Sequence, residues 1–232
     1  MRKTKIICTI GPKTESPKML EKLARAGMNI ARLNMSHGSH QSHDKVIESI
    51  KILNKKLDHP IGILLDTQGP EIRTGDIAND LHLKTDDIIS IVVRGLDNVE
   101  ESSIQINYED LMEDTNIGDT ITVDNGLINL QVLEKQDRLM KVKVIDGGLL
   151  KSKRHVNLPG IRVNLPAITE KDKRDIDFGV KRGVDFIALS FVREAEDISS
   201  LKKILGENQN GIKIVAKLED QEAITNMVEI IK

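Results

Sequence analysis

The strongest constraint on the fold is an alternation, at both ends of the chain, of short apolar runs with helix-forming segments. Strands are predicted at KIICTI (5–10), NIARLN (29–34) and IGILLDT (61–67). The last of these is a continuous apolar run, which is typical of a parallel strand covered on both faces. Ser16-Pro17 predicts the start of a helix that Gly27 ends, and a second helix is predicted over 42–57.

The same alternation returns after Pro166. Helices are predicted over 171–182, 195–205 and 222–231, and strands over 184–191 and 212–218. The pattern therefore predicts about five βα units. A closed βα barrel has eight such units, whereas a doubly wound open sheet is complete with about five, so this pattern leaves both architectures open.

Between these two regions the pattern changes to short alternating runs separated by Gly, Asn and Asp. The runs are IISIVV (88–93), SIQIN (103–107), TITV (120–123), LINLQVL (127–133) and MKVKVI (140–145). Such runs favour antiparallel strands, and Asp124-Asn125-Gly126 and Asp146-Gly147-Gly148 are strong turn signals. We therefore predict a first part of a βα domain at 1–69, an inserted all-β domain at 70–165, and a continuation of the βα domain at 166–232.

Composition excludes several classes of partner. The chain carries 34 Lys and Arg against 36 Asp and Glu, so its formal net charge of -2 gives no bias towards nucleic acid. The single cysteine, Cys8, cannot form a disulfide within the chain, which favours a reducing compartment. The apolar run at 5–10 is too short for a signal peptide and no run is long enough to span a membrane. These observations predict a cytoplasmic protein with no membrane or nucleic-acid partner.

Charged and hydroxyl side chains follow the predicted strands, at the edge where βα proteins bind their ligands. Arg32, Asn34 and Ser36 share one face of an extended chain, as do Lys217 and Glu219. Carboxylate, amide and hydroxyl oxygens suit Mg²⁺ or K⁺, and arginine suits phosphate. The residues therefore predict metal-assisted chemistry on a small phosphorylated molecule.

Six motifs resemble, in order, successive motifs of the pyruvate kinases. They are TIGP (9–12), ARLNMSHG (31–38), LLDTQGPEIRTG (64–75), NLPG (157–160), FIALSFVR (186–193) and AKLED (216–220). The resemblance covers the whole chain but only part of the family's length. It implies a truncated (β/α)8 TIM-type barrel interrupted by a small all-β lid domain. It also implies phosphoryl transfer from phosphoenolpyruvate to ADP, giving pyruvate and ATP in glycolysis.

The resemblance also implies cofactors, partners and residue roles. Mg²⁺ (or Mn²⁺) and K⁺ are the expected cofactors, and complete members of the family are usually homotetramers. Lys217 matches the catalytic lysine, Arg32 a substrate-binding arginine and Glu219 a Mg²⁺ ligand. The other matches are the nucleotide-binding residues Asn34, His37, Arg73 and Arg154, and the K⁺ ligands Asn34, Ser36, Asp66 and Thr67.

Some positions depart from the family pattern. Gln68 stands where lysine is common, Asn125 where aspartate is common, and Arg154-His155 replaces a usual Lys-Gly pair. Arginine keeps the charge of lysine but not its geometry. Family members that do without K⁺ tend to have lysine at the position of Glu71, so glutamate here predicts K⁺ dependence.

Simpler interpretations of the same residues remain open at this point. Lys217 and Glu219 could be an ordinary ion pair, and Asp66 could cap a loop. We expect His40 and His43 to be solvated near a helix start, and the charged run 170–177 to be the solvated face of a helix.

Two other functions are alternatives. One is a catalytically inactive remnant that only binds ligands or other chains, and the other is a phosphoenolpyruvate-using lyase or aldolase on the same barrel. The long β insertion argues against the lyase. Because the family's second acidic Mg²⁺ ligand lies beyond the matched segment, we expect the chain as given to be inactive alone.

Overall fold

The structure is a computed structural model that describes residues 3–93, 103–161, 163–207, 211–219 and 221–232. The chain divides into two compact units, one formed by residues 1–70 and 166–232 and the other by residues 71–165. No helix in the described part of the chain is long and apolar enough to cross a membrane.

The elements are numbered in chain order over the described residues. The strands are β1 (Ile7–Thr9), β2 (Ile30–Asn34), β3 (Gly62–Asp66), β4 (Leu81–Leu83), β5 (Ile88–Val93), β6 (Ile104–Ile106), β7 (Thr120–Val123), β8 (Ile128–Gln136), β9 (Leu139–Asp146), β10 (Gly148–Leu150), β11 (Val156–Asn157), β12 (Phe186–Leu189) and β13 (Lys213–Ala216). The helices are α1 (Pro17–Ala26), α2 (His40–Asn54), α3 (Leu111–Asp114), α4 (Glu170–Lys181), α5 (Ala195–Leu205), α6 (Gln221–Thr225) and α7 (Met227–Ile231).

The first unit is built on a five-stranded sheet in the order β1-β2-β3-β12-β13. Every neighbouring pair is parallel, so all five carboxyl ends lie at one edge. The five strands predicted from the apolar runs are confirmed. Their inward side chains pack with the helices into one core that includes Leu33, Leu65 and Leu189.

Local sequence explains the ends of the first helix. The Ser16 hydroxyl accepts a hydrogen bond from the Met19 amide, and Pro17 occupies the first turn, where its missing N–H is not needed. Gly27 ends α1 in the left-handed conformation, with φ of 110°, which glycine adopts without a steric penalty. The predicted bounds of this helix are confirmed.

The prediction for α2 was wrong at both ends, and so was the prediction for one of its histidines. Ser39 caps the helix in a reciprocal box with Ser42, so α2 begins at His40 rather than at residue 42, and it ends at Asn54. His43 is buried instead of solvated. Its ring keeps a polar partner there, because Nε2 lies 2.8 Å from the His37 carbonyl oxygen. His40 stacks on the Phe178 ring with centroids 4.4 Å apart.

The charged run at the start of α4 is not simply a solvated face, as we had predicted. Asp172 is 0% exposed and Asp175 is 3% exposed. Asp175 is paired with His40 Nε2 and with Lys171 Nζ, each at 2.7 Å. Buried carboxylates require such partners, because an unpaired charge is costly to desolvate.

Asp172 satisfies four donors at once. Its Oδ2 accepts from the amide and hydroxyl of Thr169, at 3.0 and 2.6 Å, which closes the capping box of α4. Its Oδ1 accepts from the amides of Gln68 and Gly69, both at 3.1 Å. The loop after β3 is therefore fastened to the start of α4.

The predicted last helix is interrupted. Instead of one helix over 222–231, the chain forms two short helices, α6 (Gln221–Thr225) and α7 (Met227–Ile231), separated at Asn226. The Asn226 side-chain amide donates to the Arg193 carbonyl at 3.0 Å, and its backbone has φ of -93° and ψ of 5°. This hydrogen bond to a residue 33 positions away in sequence holds Asn226 outside regular helical geometry, which accounts for the break.

The second unit contains a six-stranded sheet in the order β11-β7-β8-β9-β5-β6 and a separate β10-β4 pair. Its predicted strands are confirmed and nearly all pairs are antiparallel, but β5 and β6 pair in parallel, contrary to prediction. Asp124 and Asn125 have positive φ in the turn between β7 and β8, as the turn signal predicted. Burial and a hydrogen bond to Asp114 raise the pKa of the Tyr108 phenol in this unit.

We predict that Asp172→Ala lowers the free energy of unfolding by about 3 kcal/mol, because it leaves buried amides without an acceptor. Asp177→Ala is the matched control, since Asp177 lies on the same helix, is 60% exposed and pairs only with Lys181 among the ion pairs described. That control is expected to change stability by about 0.5 kcal/mol or less. Urea denaturation followed by circular dichroism measures both, and equal effects would contradict the assigned role of Asp172.

Candidate active site

Polar side chains from all five strands of the parallel sheet converge at its carboxyl edge. Thr9 ends β1, Arg32 and Asn34 lie at the end of β2, and Asp66 ends β3. Ser190 follows β12 and Lys217 follows β13 directly. Because neighbouring strands lie about 4.8 Å apart, these residues come close although they are far apart in sequence.

Asp66 is the centre of this cluster, with a side chain that is only 2% exposed. Its Oδ2 accepts from Arg32 Nε at 2.6 Å, and Arg32 Nη2 lies 2.5 Å from the same oxygen. Its Oδ1 is buried and makes no hydrogen bond with any residue that the structure describes. Lys217 Nζ lies 3.2 Å from Oδ1, so the carboxylate separates two cations.

Arg32 is anchored on both sides. Its Nη1 donates to the Thr9 hydroxyl at 2.8 Å, while Nε and Nη2 face Asp66. The side chain is 32% exposed, so part of the planar guanidinium remains accessible. A fixed and accessible guanidinium is suited to binding a phosphate or carboxylate group.

The Lys217 ammonium lies among three oxygens. Its Nζ donates to the Ser190 hydroxyl at 2.8 Å and lies 3.3 Å from Glu219 Oε1, in addition to its approach to Asp66. The side chain is 27% exposed. The cluster thus contains two cations, Arg32 and Lys217, and two carboxylates, Asp66 and Glu219, packed into one place.

Thr67 and Ser190 form a reciprocal pair across β3 and β12. The Ser190 amide donates to the Thr67 hydroxyl oxygen at 3.0 Å, and the Ser190 hydroxyl donates to the Thr67 carbonyl at 2.6 Å. Both residues are buried. Sequence analysis did not assign a role to Ser190 or to Thr9, although a hydroxyl residue at the carboxyl end of a parallel strand was the available signal.

Asn34, Ser36 and His37 lie in the turn after β2. The Asn34 side-chain oxygen accepts from the Ser36 amide at 3.0 Å, and the His37 amide donates to the Asn34 carbonyl at 3.2 Å. His37 is exposed and, together with His40, Lys171 and others, lines a cavity of about 280 Å³. Asn34 and Asp66 are register partners in the sheet, and the turn is therefore tied to the cluster.

The oxygens of this edge suit hard cations. Among the residues that the structure describes, no three His, Cys, Asp or Glu side chains form a group that could hold a metal ion. The buried carboxylate of Asp66 is nevertheless an anionic oxygen ligand, and Asn34, Ser36 and Thr67 supply neutral oxygens beside it in sequence or register. One carboxylate with several neutral oxygens fits a monovalent cation, and Glu219 is a further hard ligand.

The remaining predicted residues lie in the second unit. Arg73 donates to Glu71 Oε2 and to the Lys153 carbonyl, at 2.7 and 2.8 Å. The Arg154 guanidinium lies 3.5 Å from Asp124 Oδ1, and its amide donates to Thr74. Arg73 and His155 form a β-bridge, so both arginines belong to one small region of this unit.

Comparisons with known proteins were made for the whole sequence. A family model described as the barrel domain of pyruvate kinase matches residues 1–232. Proteins named pyruvate kinase from Staphylococcus aureus strain USA300 and from Staphylococcus epidermidis strain RP62A are 47% identical over 241 aligned residues and 48% identical over 235. Each match covers 100% of this chain and 40% of the relative, so the chain spans well under half the length of the curated relatives that it matches.

These matches decide between the two architectures that the strand pattern left open. The matched family is described as a barrel, so the five-stranded parallel sheet belongs to a barrel of the α/β class and not to a doubly wound open sheet. The predicted fold class and the predicted family resemblance are therefore confirmed.

We predict that Asp66→Ala lowers the free energy of unfolding by about 3 kcal/mol, because Arg32 and Lys217 then face each other without a shared carboxylate. Glu21→Ala is the control. It removes an ion pair of similar length, 2.7 Å to Arg25, that is exposed on α1 and is expected to contribute less than about 1 kcal/mol. Denaturation of both variants in low and high salt distinguishes a buried pair from a surface pair, and equal losses would contradict the buried-pair assignment.

Proposed function

We propose, because the chain belongs to the pyruvate kinase family, that it is part of an enzyme that transfers the phosphoryl group of phosphoenolpyruvate to ADP and so forms pyruvate and ATP in glycolysis. The observation that carries this proposal is the pair of fixed cations, Arg32 and Lys217, which are far apart in sequence but are both held by the buried carboxylate of Asp66. Phosphoryl transfer needs positive charge of this kind, aimed at oxygens whose charge changes along the reaction.

Lys217 is proposed as the catalytic residue. Its ammonium would face the transferring phosphoryl group and the oxygen from which that group departs. Because Ser190 and Asp66 already hold the ammonium, little reorganisation is required when negative charge develops. Arg32 is proposed to bind a phosphate oxygen of phosphoenolpyruvate through the accessible part of its guanidinium.

Two metal ions, Mg²⁺ (or Mn²⁺) and K⁺, complete the proposed active site. Glu219 would be a ligand of Mg²⁺ (or Mn²⁺), and Asn34, Ser36, Asp66 and Thr67 would bind K⁺, with the buried Asp66 carboxylate as the one anionic ligand of that set. When bound, the metal ions neutralise negative charge on phosphoryl oxygens. This chain's fold would hold those oxygen ligands and the two cationic side chains together at one edge of the sheet.

The nucleotide is proposed to meet Asn34, His37, Arg73 and Arg154. His37 is exposed, and about a third of each arginine side chain is accessible, which supports a role in binding phosphates. The expected cytoplasmic location and the homotetrameric assembly belong to the same proposal. Size-exclusion chromatography of the enzyme tests the assembly.

The test uses a hybrid enzyme, in which this chain replaces the matching 40% of the Staphylococcus epidermidis relative. We predict that the hybrid forms pyruvate from phosphoenolpyruvate and ADP, and that Lys217→Met lowers kcat by roughly 100- to 1,000-fold while KM for phosphoenolpyruvate changes little. The reason is that a cation acting on developing charge stabilises the transition state more than the bound substrate.

Lys203→Met is the control for this variant. Lys203 also pairs with a carboxylate in the same unit, with its Nζ 2.8 Å from Glu196 Oε1, but both side chains are exposed on α5 and have no proposed contact with substrate. It is expected to keep kcat within a few-fold. An inactive but folded hybrid would overturn the proposed function, and a Lys217→Met enzyme with normal kcat would overturn the role of the lysine.

A further prediction concerns K⁺. Replacing K⁺ by tetramethylammonium should abolish most of the hybrid's activity, and Glu71→Lys should restore part of it, because an ammonium group can substitute for the ion. Restoration is expected to be incomplete, since Glu71 now accepts from Arg73 and a lysine there would repel that guanidinium. Glu71→Gln, which removes charge without adding a cation, is the control and should not restore activity. Full activity of the unmutated hybrid without K⁺ would contradict the prediction.

A further inference from the structure

We propose that the Ser190-Phe191 turn after β12 is a positioning device that sets both the Lys217 ammonium and the Glu219 carboxylate. The inference rests on the proposed function, because it assigns the turn a role in orienting two residues of that site. Ser190 acts through its side chain on Lys217, and Phe191 acts through its backbone amide on Glu219. Neither residue needs to touch the substrate.

The Ser190 hydroxyl has a fixed orientation. It carries one proton, which is donated to the Thr67 carbonyl at 2.6 Å, so its lone pairs are left to accept from Lys217 Nζ at 2.8 Å. The Ser190 amide is fixed in turn by the Thr67 hydroxyl at 3.0 Å. The hydroxyl is therefore a rigid acceptor at the edge of the sheet.

Lysine needs such an acceptor more than most side chains. Its ammonium is a point charge on four rotatable bonds, so ordering it costs side-chain conformational entropy. The carboxylates of Asp66 and Glu219 lie at 3.2 and 3.3 Å from Nζ. Attraction to two charges does not select one position, whereas a short directional hydrogen bond to Ser190 does.

The backbone of the same turn is joined to the backbone of Lys217. The Lys217 amide donates to the Leu189 carbonyl at 3.0 Å, and the Val192 amide donates to the Lys217 carbonyl at 3.2 Å. The residues on either side of the turn are therefore bonded to both the amide and the carbonyl of Lys217. A displacement of the turn would displace the lysine with it.

Phe191 supplies the second contact through an unfavourable conformation. Its φ of 53° is in the left-handed region, which is sterically unfavourable for a residue with a β-carbon. In this conformation its amide donates to Glu219 Oε2 at 3.0 Å. Strain of this kind persists where the surroundings fix the backbone, and it is concentrated at functional sites.

The surroundings that fix the turn are Gly69 and Asp172. A β-carbon at Gly69 would lie 2.8 Å from the Phe191 ring and 2.9 Å from Ser190 Cβ, so only glycine permits this approach. Asp172 Oδ1 holds the amides of residues 68 and 69 at 3.1 Å each. Asp172, at the start of α4, thus holds the loop after β3 in contact with the Ser190-Phe191 turn.

The first test compares Ser190→Ala with Ser90→Ala in the hybrid enzyme. Ser90 is a matched control because it is also buried and also accepts from a lysine, Lys141 Nζ at 2.7 Å, but lies in the second unit. We expect Ser190→Ala to lower kcat by about 10- to 100-fold with little change in KM for phosphoenolpyruvate, and Ser90→Ala to change neither.

A double-mutant cycle separates positioning from a merely structural role. If Ser190 acts through Lys217, then Ser190→Ala should have almost no further effect on kcat once Lys217→Met is present. An equal loss of kcat in both backgrounds would overturn the proposal. So would a normal kcat for Ser190→Ala in an enzyme that Lys217→Met inactivates, and that result would leave the proposed function intact.

The second test addresses the Phe191 contact and does not depend on the folding of Ser190→Ala. Gly69→Ala places a methyl group against the turn, whereas Gly183→Ala imposes the same left-handed strain, with φ of 62° against 72°, where nothing lies within 4 Å. Mn²⁺ binding to each variant, measured by electron paramagnetic resonance without substrate, reports on Glu219 independently of activity.

We expect Gly69→Ala to weaken Mn²⁺ binding by about 10-fold relative to Gly183→Ala, and to lower kcat as well. Equal Mn²⁺ affinities in the two variants would remove the Phe191-Glu219 part of the proposal. Mn²⁺ that binds normally to a hybrid without activity would instead count against the proposed function and not against the positioning contact.

Discussion

The buried carboxylate of Asp66 is the interaction on which the candidate site depends. It is 2% exposed and lies between the guanidinium of Arg32 and the ammonium of Lys217. Desolvating it alone would be very costly, and the two cations would repel each other without it. Because each member stabilises the others, the charges stay in place at the carboxyl edge of the sheet. The same arrangement keeps the cations partly accessible, which the roles proposed for them in phosphoryl transfer require.

A second buried carboxylate, that of Asp172, connects the charge cluster to α4 through the loop after β3. Asp172 caps α4 and holds the loop after β3, and that loop contacts the turn after β12 through Gly69. The turn after β12 contacts Lys217 through the Ser190 hydroxyl and Glu219 through the Phe191 amide. Helix capping, loop geometry and the charge cluster are therefore one continuous set of contacts, which explains why a residue with no polar side chain, Gly69, is placed next to the candidate site. Proteins commonly support a functional group in this way with a second layer of residues.

Much of this arrangement could be predicted from sequence, and the failures have physical causes. The five parallel strands were predictable because apolar runs of strand length alternate with helix-forming segments. The burial of Asp172 and His43 was not predictable, since it depends on partners that lie far away in sequence or in another turn. The break at Asn226 depends on the Arg193 carbonyl, which no local pattern reveals. Ser190 was visible at a strand end, but its role depends on Lys217, 27 residues later.

The sequence by itself determined the family, the βα pattern with its β-rich interruption, and the residues that lie at the carboxyl ends of the strands. It could do so because strand length, turn chemistry and motif order are local properties. Only the tertiary structure decided which of those residues share a carboxylate, which hydroxyl fixes Lys217, and why Phe191 adopts a left-handed backbone. These are consequences of strand order and register, which bring residues 32, 66, 190 and 217 together, and contacts between distant residues are not encoded in any short segment.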